Sequence, residues 1–133
     1  YMRNDKKIPR IPDAELDIML VIWKYDRPVR IIEIYNDLQS IHPCTKSAIH
    51  TLVESLQHRG FINIEFSPDK RSYKMLTPLV SEDEYRTAEA DTFIDKLCGG
   101  KWQKLIAALT TSDKLSDDEI EELTQFLQKK EGE

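Results

Sequence analysis

The chain has 133 residues, of which 40% are hydrophobic and 32% charged, and it carries a formal net charge of −5. This composition is typical of a soluble globular protein, and the length suits one compact domain, or one domain of about 80 residues with a helical extension. No apolar run approaches the roughly 20 residues that span a bilayer, and residues 1–10 lack the apolar core of a secretory signal, which predicts a cytoplasmic protein.

The charge is unevenly distributed along the chain. Residues 1–80 hold 12 basic and 10 acidic side chains, whereas residues 81–133 hold 7 basic and 14 acidic ones. A negative overall charge argues against nucleic-acid binding, which depends mainly on Lys and Arg. Because the acidic excess lies in the second part, the first part can still present a basic face.

Two amphipathic helices are predicted near the start. Apolar residues recur at helical spacing after Asp13, which can cap the first helix, and this helix ends near Tyr25. A second helix is predicted for residues 30–40.

A third helix follows Pro43, with Thr45 as its cap and Gly60 as its stop. Its apolar stripe is Ile49, Leu52, Val53 and Leu56. The period then changes, because apolar and polar residues alternate over 62–66 and again over 73–75, on either side of a polar turn. Three helices and a hairpin in this order predict a winged helix-turn-helix, whose third helix enters the major groove of DNA.

Residues 79–133 are predicted to form three further helices. Two of them begin with the capping-box motif S-x-x-E, at Ser81 and Ser116, and the glycine pair at 99–100 separates the first two helices. Their apolar faces exceed what one copy can cover, so they predict a homodimer. The predicted dimerisation residues are Tyr85, Phe93, Leu97, Trp102, Leu105, Ile106, Leu109, Ile120, Leu123, Phe126 and Leu127.

No motif of a phosphate-binding loop, a dinucleotide site, a zinc protease or a serine hydrolase occurs. We interpret His42, His50 and His58 as surface residues, because their spacing of eight does not bring them to one metal. Cys44 and Cys98 lack C-x-x-C spacing and are interpreted as small buried hydrophobes. We therefore predict no catalysis, no metal and no cofactor.

If the aliphatic stripe of the third helix is buried, the polar side of its start faces outward. The arm before the first helix and the hairpin carry cations that suit phosphate contacts. The predicted DNA-binding residues are Thr45, Lys46, Ser47, His50 and Thr51 on the helix, Lys70, Arg71 and Lys74 on the hairpin, and Lys7 and Arg10 on the arm. The alternative is a winged-helix protein-protein interaction module without DNA binding.

Several segments together resemble one known family. They are IPDAELDIMLVIW at 11–23, AIHTLV at 48–53, RGFI at 59–62, GG at 99–100 and LSDDEIEEL at 115–123. In this order, and over nearly the whole chain, they are similar to the penicillinase repressor (BlaI/MecI/CopY) family of winged-helix transcriptional repressors.

The resemblance implies a homodimer that binds a two-fold operator, blocks transcription and is paired with a membrane-bound sensor protease. The chain departs from the family in three places. Residues 44–48 read CTKSA where the recognition helix of the family commonly begins WSPKT. Ala108-Leu109 occupies the position of the Asn-Phe pair at which antibiotic-responsive members are cleaved. Cys98 is a single cysteine in the segment where copper-responsive members have clustered cysteines, which argues against copper sensing.

We therefore expect a mostly α fold with a small β-hairpin wing. Residues 1–78 are predicted to form a winged-helix DNA-binding domain, and residues 79–133 a three-helix dimerisation domain. The predicted function is sequence-specific transcriptional repression by a homodimer.

Overall fold

The computed structural model describes residues 7–68 and 73–131. It divides into two compact units, one ending at Glu89 and the other beginning at Ala90. The elements in chain order are α1 (Asp13–Lys24), β1 (Val29–Arg30), α2 (Ile31–Leu38), α3 (Lys46–His58), β2 (Ile62–Phe66), β3 (Lys74–Pro78), α4 (Glu82–Leu97), α5 (Trp102–Thr111) and α6 (Asp117–Glu131).

The core of the first unit lies between its three helices and its sheet. Each helix contributes apolar side chains spaced three or four residues apart, so they share one face. Burying an aliphatic or aromatic side chain of this kind contributes about 1.5 to 3 kcal/mol. The fully buried side chains are Ile18, Met19, Ile22, Val29, Ile34, Ile49, Val53, Leu56, Phe61, Ile62 and Leu76.

The sheet has three antiparallel strands in the order β1-β3-β2. Leu76 on β3 pairs with Val29 on one side and Ile64 on the other. The predicted hairpin is therefore present as β2 and β3, but β1 was not predicted. Two residues are too few to display the alternation by which strands are identified.

The sequence signals at the ends of α3 are confirmed. The Thr45 side chain accepts a hydrogen bond from the backbone N–H of Ala48 at 3.0 Å, and Gly60 ends the helix with φ +83°. The predicted helix α1 is present, but the prediction that Asp13 caps it was wrong. Pro12 occupies the cap position, and Asp13 is the first helical residue. Asp13 instead lies in the first turn, where a negative charge favourably opposes the helix dipole.

Both capping boxes are present. At α4, Ser81 N–H donates to Glu84 and Glu84 N–H donates to the Ser81 hydroxyl, at 2.9 and 3.0 Å. The same pair of bonds joins Ser116 and Glu119 before α6, at 2.9 and 3.1 Å. These two helix starts therefore lie where the sequence placed them.

Tyr85 belongs to the core of the first unit. Its side chain is 6% exposed, its hydroxyl accepts a hydrogen bond from the backbone N–H of Ile11 at 3.1 Å, and its ring meets that of Phe61 edge-on at 5.8 Å between centroids. Burial raises the pKa of the Tyr85 hydroxyl. One copy of the chain therefore already buries Tyr85, which was predicted as a dimerisation residue, within the first unit. This unit ends at Glu89 rather than at the predicted boundary of Pro78.

The second unit contains the end of α4 together with α5 and α6. Gly99 and Gly100 adopt φ of +59° and +80° where α4 ends, and Asp113 adopts +62° between α5 and α6. Cys98 is buried, as predicted. None of the helices in residues 7–68 and 73–131 combines the length and hydropathy of a membrane span.

Candidate nucleic-acid interface

The first half of α3 presents a polar surface to solvent. Ile49, Val53 and Leu56 are fully buried, and Leu52 packs against the same core. The opposite side of the helix is exposed, as predicted from the aliphatic stripe. The exposed side chains at this end are Thr45, Lys46, Ser47, His50 and Thr51.

The other end of α3 is held against α1 by a buried carboxylate. Glu15 is 4% exposed, and one of its oxygens accepts a hydrogen bond from the Ser55 hydroxyl at 2.9 Å. Arg59 Nε lies 2.9 Å from the other oxygen, which receives no well-directed hydrogen bond from the described residues, so this contact is mainly ionic. The arrangement fixes the orientation of α3 relative to α1. It was not predicted, because no local pattern indicates that Glu15 is buried.

The turn between α2 and α3 is closed by Gln39. Its amide donates to the carbonyl oxygens of Tyr35 at 3.0 Å and Cys44 at 3.3 Å. Lys46 is the first residue of α3 after this turn, and its Nζ lies 5.1 Å from the centroid of the Tyr35 ring. The first residue of α3 is therefore in cation-π contact with α2.

Two carboxylates of α2 hold this helix in place. Asp37 accepts hydrogen bonds from Lys24 and from the Tyr25 hydroxyl, both at 2.8 Å. Glu33 is bound by Arg27 at 2.7 Å. The hydrogen bond from Lys24 keeps the pKa of Asp37 below its ordinary value, and that from Arg27 does the same for the pKa of Glu33. Both carboxylates are therefore engaged within the first unit.

The predicted phosphate contacts occupy different settings. Lys7 is exposed, whereas Arg10 Nε lies 3.6 Å from a carboxylate oxygen of Glu89. Such an exposed ion pair is worth only about 0 to 1 kcal/mol, so Arg10 remains available to an anion. Lys74 is half-buried at the start of β3. Lys70 and Arg71 lie outside the described residues.

A groove joins α3 to the wing and to the start of α2. It measures about 230 Å³, and both His50 and Lys74 lie in it. Arg30 and Tyr73, which were not predicted as site residues, also line it, and the guanidinium carbon of Arg30 lies 3.9 Å from the centroid of the Tyr73 ring. Arg30 lies on β1, the strand that was not predicted from the sequence.

The predicted dimerisation residues of the second unit lie at its surface or are half-buried. Leu97, Phe126 and Trp102 are 72%, 59% and 55% exposed. The more exposed group also includes Phe93, Ile120 and Leu127, and the half-buried group is Leu105, Ile106, Leu109 and Leu123.

Titratable groups do not gather into a metal site in residues 7–68 and 73–131, where no three His, Cys, Asp or Glu side chains converge. His42 Nδ1 lies 2.8 Å from a carboxylate oxygen of Asp17, and the His42 side chain is largely exposed. This pair links the loop after α2 to α1.

Comparison with known proteins identifies the family. The family model described as penicillinase repressor matches residues 11–129. The chain belongs to the penicillinase repressor family. It is 30% identical over 123 residues to the penicillinase repressor of Bacillus licheniformis, covering 92% of this chain and 93% of that protein. It is 32% identical over 128 residues to the methicillin resistance regulatory protein MecI of Mammaliicoccus sciuri, covering 95% and 99%.

One solved structure agrees with this membership in the penicillinase repressor family, and a second shares only the fold. The DNA-binding domain of the repressor BlaI is 31% identical, with a TM-score of 0.50, and the match covers 60% of this chain and 93% of that domain. A mutant of MarR from E. coli shares the fold at 13% identity and a TM-score of 0.51, and that match covers 90% of this chain and 76% of the other. The predicted family and the predicted winged-helix fold are therefore confirmed. This family is one of transcriptional repressors and not of enzymes.

Proposed function

We propose that this chain is a sequence-specific DNA-binding repressor that acts in the cytoplasm as a homodimer on a two-fold operator and has no catalytic activity. The observation that carries the proposal is the division of α3 into two sides. Ile49, Val53 and Leu56 lie in the core, while Lys46 and His50 face solvent at the end of the helix that meets base edges in helix-turn-helix proteins.

The exposed residues of α3 supply the groups that base recognition requires. Lys46 donates to the acceptors of guanine, and Ser47, His50 and Thr51 each carry a hydrogen-bonding group. Thr45 differs, because its hydroxyl oxygen already accepts from Ala48 N–H. Its hydroxyl hydrogen can still be donated to a phosphate or a base edge. We therefore assign base contacts first to Lys46 and His50.

Phosphate contacts are proposed for cations on both sides of α3. Lys7 and Arg10 on the arm and Lys74 on β3 suit this role, and the proposal includes Lys70 and Arg71. With few cations per protomer, the affinity should fall only moderately as salt is raised.

Dimerisation is proposed through the second unit. Three of its apolar side chains, Leu97, Trp102 and Phe126, are more than half exposed in one copy. Large exposed apolar surfaces mark association sites, and a second copy of the same surface would cover them. Linking two DNA-binding units raises the effective concentration of the second one, so separating the protomers would weaken operator binding without touching a DNA contact.

The family resemblance also supports a membrane-bound sensor protease as a proposed partner. The Ala108-Leu109 pair, which stands at the scissile position of antibiotic-responsive members, lies within α5. Cleavage there would separate α6 from the rest of the chain and weaken a dimer formed by these helices. Incubation of the purified protein with membranes of its host, followed by mass spectrometry of the fragments, tests this partner.

The experiment that tests repression begins with DNA that the protein itself selects. Purified protein is mixed with fragments of its host genome, and the retained fragments are sequenced. We expect a two-fold motif, retained less as salt is added because counterions compete for the phosphates. No retention even at low salt would contradict repression and favour the protein-protein interaction module, for which the acidic pI of 5.3 is the supporting observation.

A further inference from the structure

The groove between α3 and the wing combines cations with one exposed aromatic ring, that of Phe66, and one half-buried ring, that of Tyr73. Its lining comes from four parts of the first unit: the end of β1, the start of α2, the exposed side of α3 and both strands of the wing. Among the described residues no Asp or Glu lines it. The lining residues are Arg30, Ile31, Ile32, His50, Phe66, Tyr73 and Lys74.

Arg30 is oriented in the groove by an aromatic ring. Its guanidinium carbon lies 3.9 Å from the centroid of Tyr73, a distance that indicates stacking. A stacked guanidinium keeps its edge N–H groups free to donate. Within residues 7–68 and 73–131 no carboxylate pairs with the Arg30 side chain, whereas Arg27 is bound to Glu33 and Arg59 to Glu15. Arg30 is therefore held in place and its side chain forms no ion pair there, although Glu33 accepts a hydrogen bond from its backbone N–H at 2.9 Å.

Phe66 adds an apolar surface to the same groove. It is 64% exposed at the end of β2 and pairs with Lys74 on β3. Exposing a phenyl ring to water is unfavourable, and the ring of Phe66 is not packed into the core. The phenyl ring and the ammonium group of Lys74 on the paired strand together offer an apolar subsite beside an anion-binding subsite.

We propose that this groove binds the sugar-phosphate backbone of the operator, with Arg30 and Lys74 on a phosphate and Phe66 on the adjoining deoxyribose. Tyr73 acts as a positioning residue for Arg30. The inference rests on the proposed function, because a duplex that meets α3 brings its backbone to the groove in which His50 also lies. A backbone contact of this kind carries no sequence information but fixes the register of α3 on DNA.

Salt dependence tests the phosphate contact. The affinity of a 20-base-pair duplex of mixed sequence, and of the duplex selected by the protein, is measured by fluorescence anisotropy at several salt concentrations. Arg30→Ala should weaken binding of both duplexes about tenfold and reduce the slope of log affinity against log salt by about 1 per protomer. Arg86→Ala removes the same charge from an exposed side chain that is paired with Glu82 and Asp83 on α4, and it should leave the slope unchanged.

Three further variants test the aromatic rings. Phe66→Ala should lower the affinity without changing the salt slope, because it removes an apolar contact and no charge. Tyr73→Phe should bind as the unaltered protein does, since the stacking ring remains, whereas Tyr73→Leu should reduce affinity. In the background of Arg30→Ala, Tyr73→Leu should cause no further loss. A loss of equal size in both backgrounds would mean that Tyr73 only supports the fold, and would overturn its positioning role.

The failure of this inference differs from the failure of the proposed function. If the unaltered protein binds its selected duplex and Arg30→Ala leaves both affinity and slope unchanged, the groove does not contact the backbone. If the unaltered protein binds no duplex at low salt, both proposals fall. Binding of an oligoglutamate peptide that depends on Arg30, with DNA binding independent of it, would assign the groove to an acidic peptide and overturn the proposal.

Discussion

Lys46 Nζ lies 5.1 Å from the centroid of the Tyr35 ring, so the first residue of α3 rests on the helix before it. Lys46 is exposed, and a lysine at such a position normally samples many rotamers. The ring limits that freedom and holds the ammonium group beside α2. The contact therefore preorganises a side chain that the proposed function places on a base.

The first prediction concerns this pair. Tyr35→Leu should lower operator affinity about two- to fivefold, which matches a cation-π contact of about 0.5 to 1 kcal/mol at an exposed site. Tyr35→Phe keeps the ring and should bind normally. In a double-mutant cycle with Lys46→Ala, the effect of Tyr35→Leu should disappear; additive losses would show that the two side chains act independently.

The second prediction concerns the buried carboxylate of α1. Arg59→Met leaves Glu15 charged and buried without its cation, which should reduce the free energy of unfolding by about 3 to 5 kcal/mol. Glu15→Gln in the same protein removes that charge and should restore part of the loss. Urea denaturation followed by circular dichroism measures both.

A matched control for this pair is Arg27→Met, which breaks the exposed contact with Glu33. Its cost should be no more than about 1 kcal/mol, because exposed ion pairs are weak. Equal destabilisation by Arg59→Met and Arg27→Met would mean that the burial of Glu15 does not increase the cost of losing its cation.

The third prediction follows from the position of Tyr85. Tyr85→Phe removes the acceptor for the Ile11 N–H and should cost about 1 to 3 kcal/mol of stability, since a buried donor is left unsatisfied. The dimer should persist at concentrations where the unaltered protein is dimeric. Sedimentation that shows a monomer for the folded variant would return Tyr85 to the dimer interface.

The fourth prediction concerns the apolar side chains of the second unit. Leu97→Glu and Phe126→Glu place charges on surfaces that are 72% and 59% exposed in one copy, so each folded chain should remain intact while dimerisation weakens. Light scattering over a range of protein concentrations measures this. Thr87→Glu adds the same charge to an exposed position in the first unit and should leave the dimer unchanged. A dimer that resists both substitutions would place the interface elsewhere.

Much of the first unit could be predicted from local patterns. The stripe through Ile49 and Leu56 determined which side of α3 faces water, and Thr45 and Gly60 marked its ends, because helix period and capping depend on residues close in the sequence. The capping boxes at Ser81 and Ser116 were equally reliable for the same reason. Exposure of the candidate residues on α3 followed directly.

The rest could not be predicted, because it depends on residues distant in the sequence. Tyr85 has the apolar character expected of a dimer face, and only its tertiary contacts, the bond to Ile11 and the packing against Phe61, show that it completes the first unit. The stack of Arg30 on Tyr73 requires β1, whose two residues carry no alternating pattern. Local sequence signals therefore predicted the helices and the exposed side of α3. The contacts that position Tyr85 and Arg30 could be found only in the tertiary structure.

The most direct test of the account is the operator affinity of Lys46→Ala and His50→Ala beside that of His58→Ala, measured by mobility shift on the selected duplex. His58 is exposed at the last residue of α3, away from the end proposed to meet bases. We predict that Lys46→Ala and His50→Ala each cost about 1 to 3 kcal/mol of binding free energy, while the free energy of unfolding stays unchanged. His58→Ala should have no measurable effect on binding. Equal affinity in all three variants would contradict the assignment of α3 as the recognition helix.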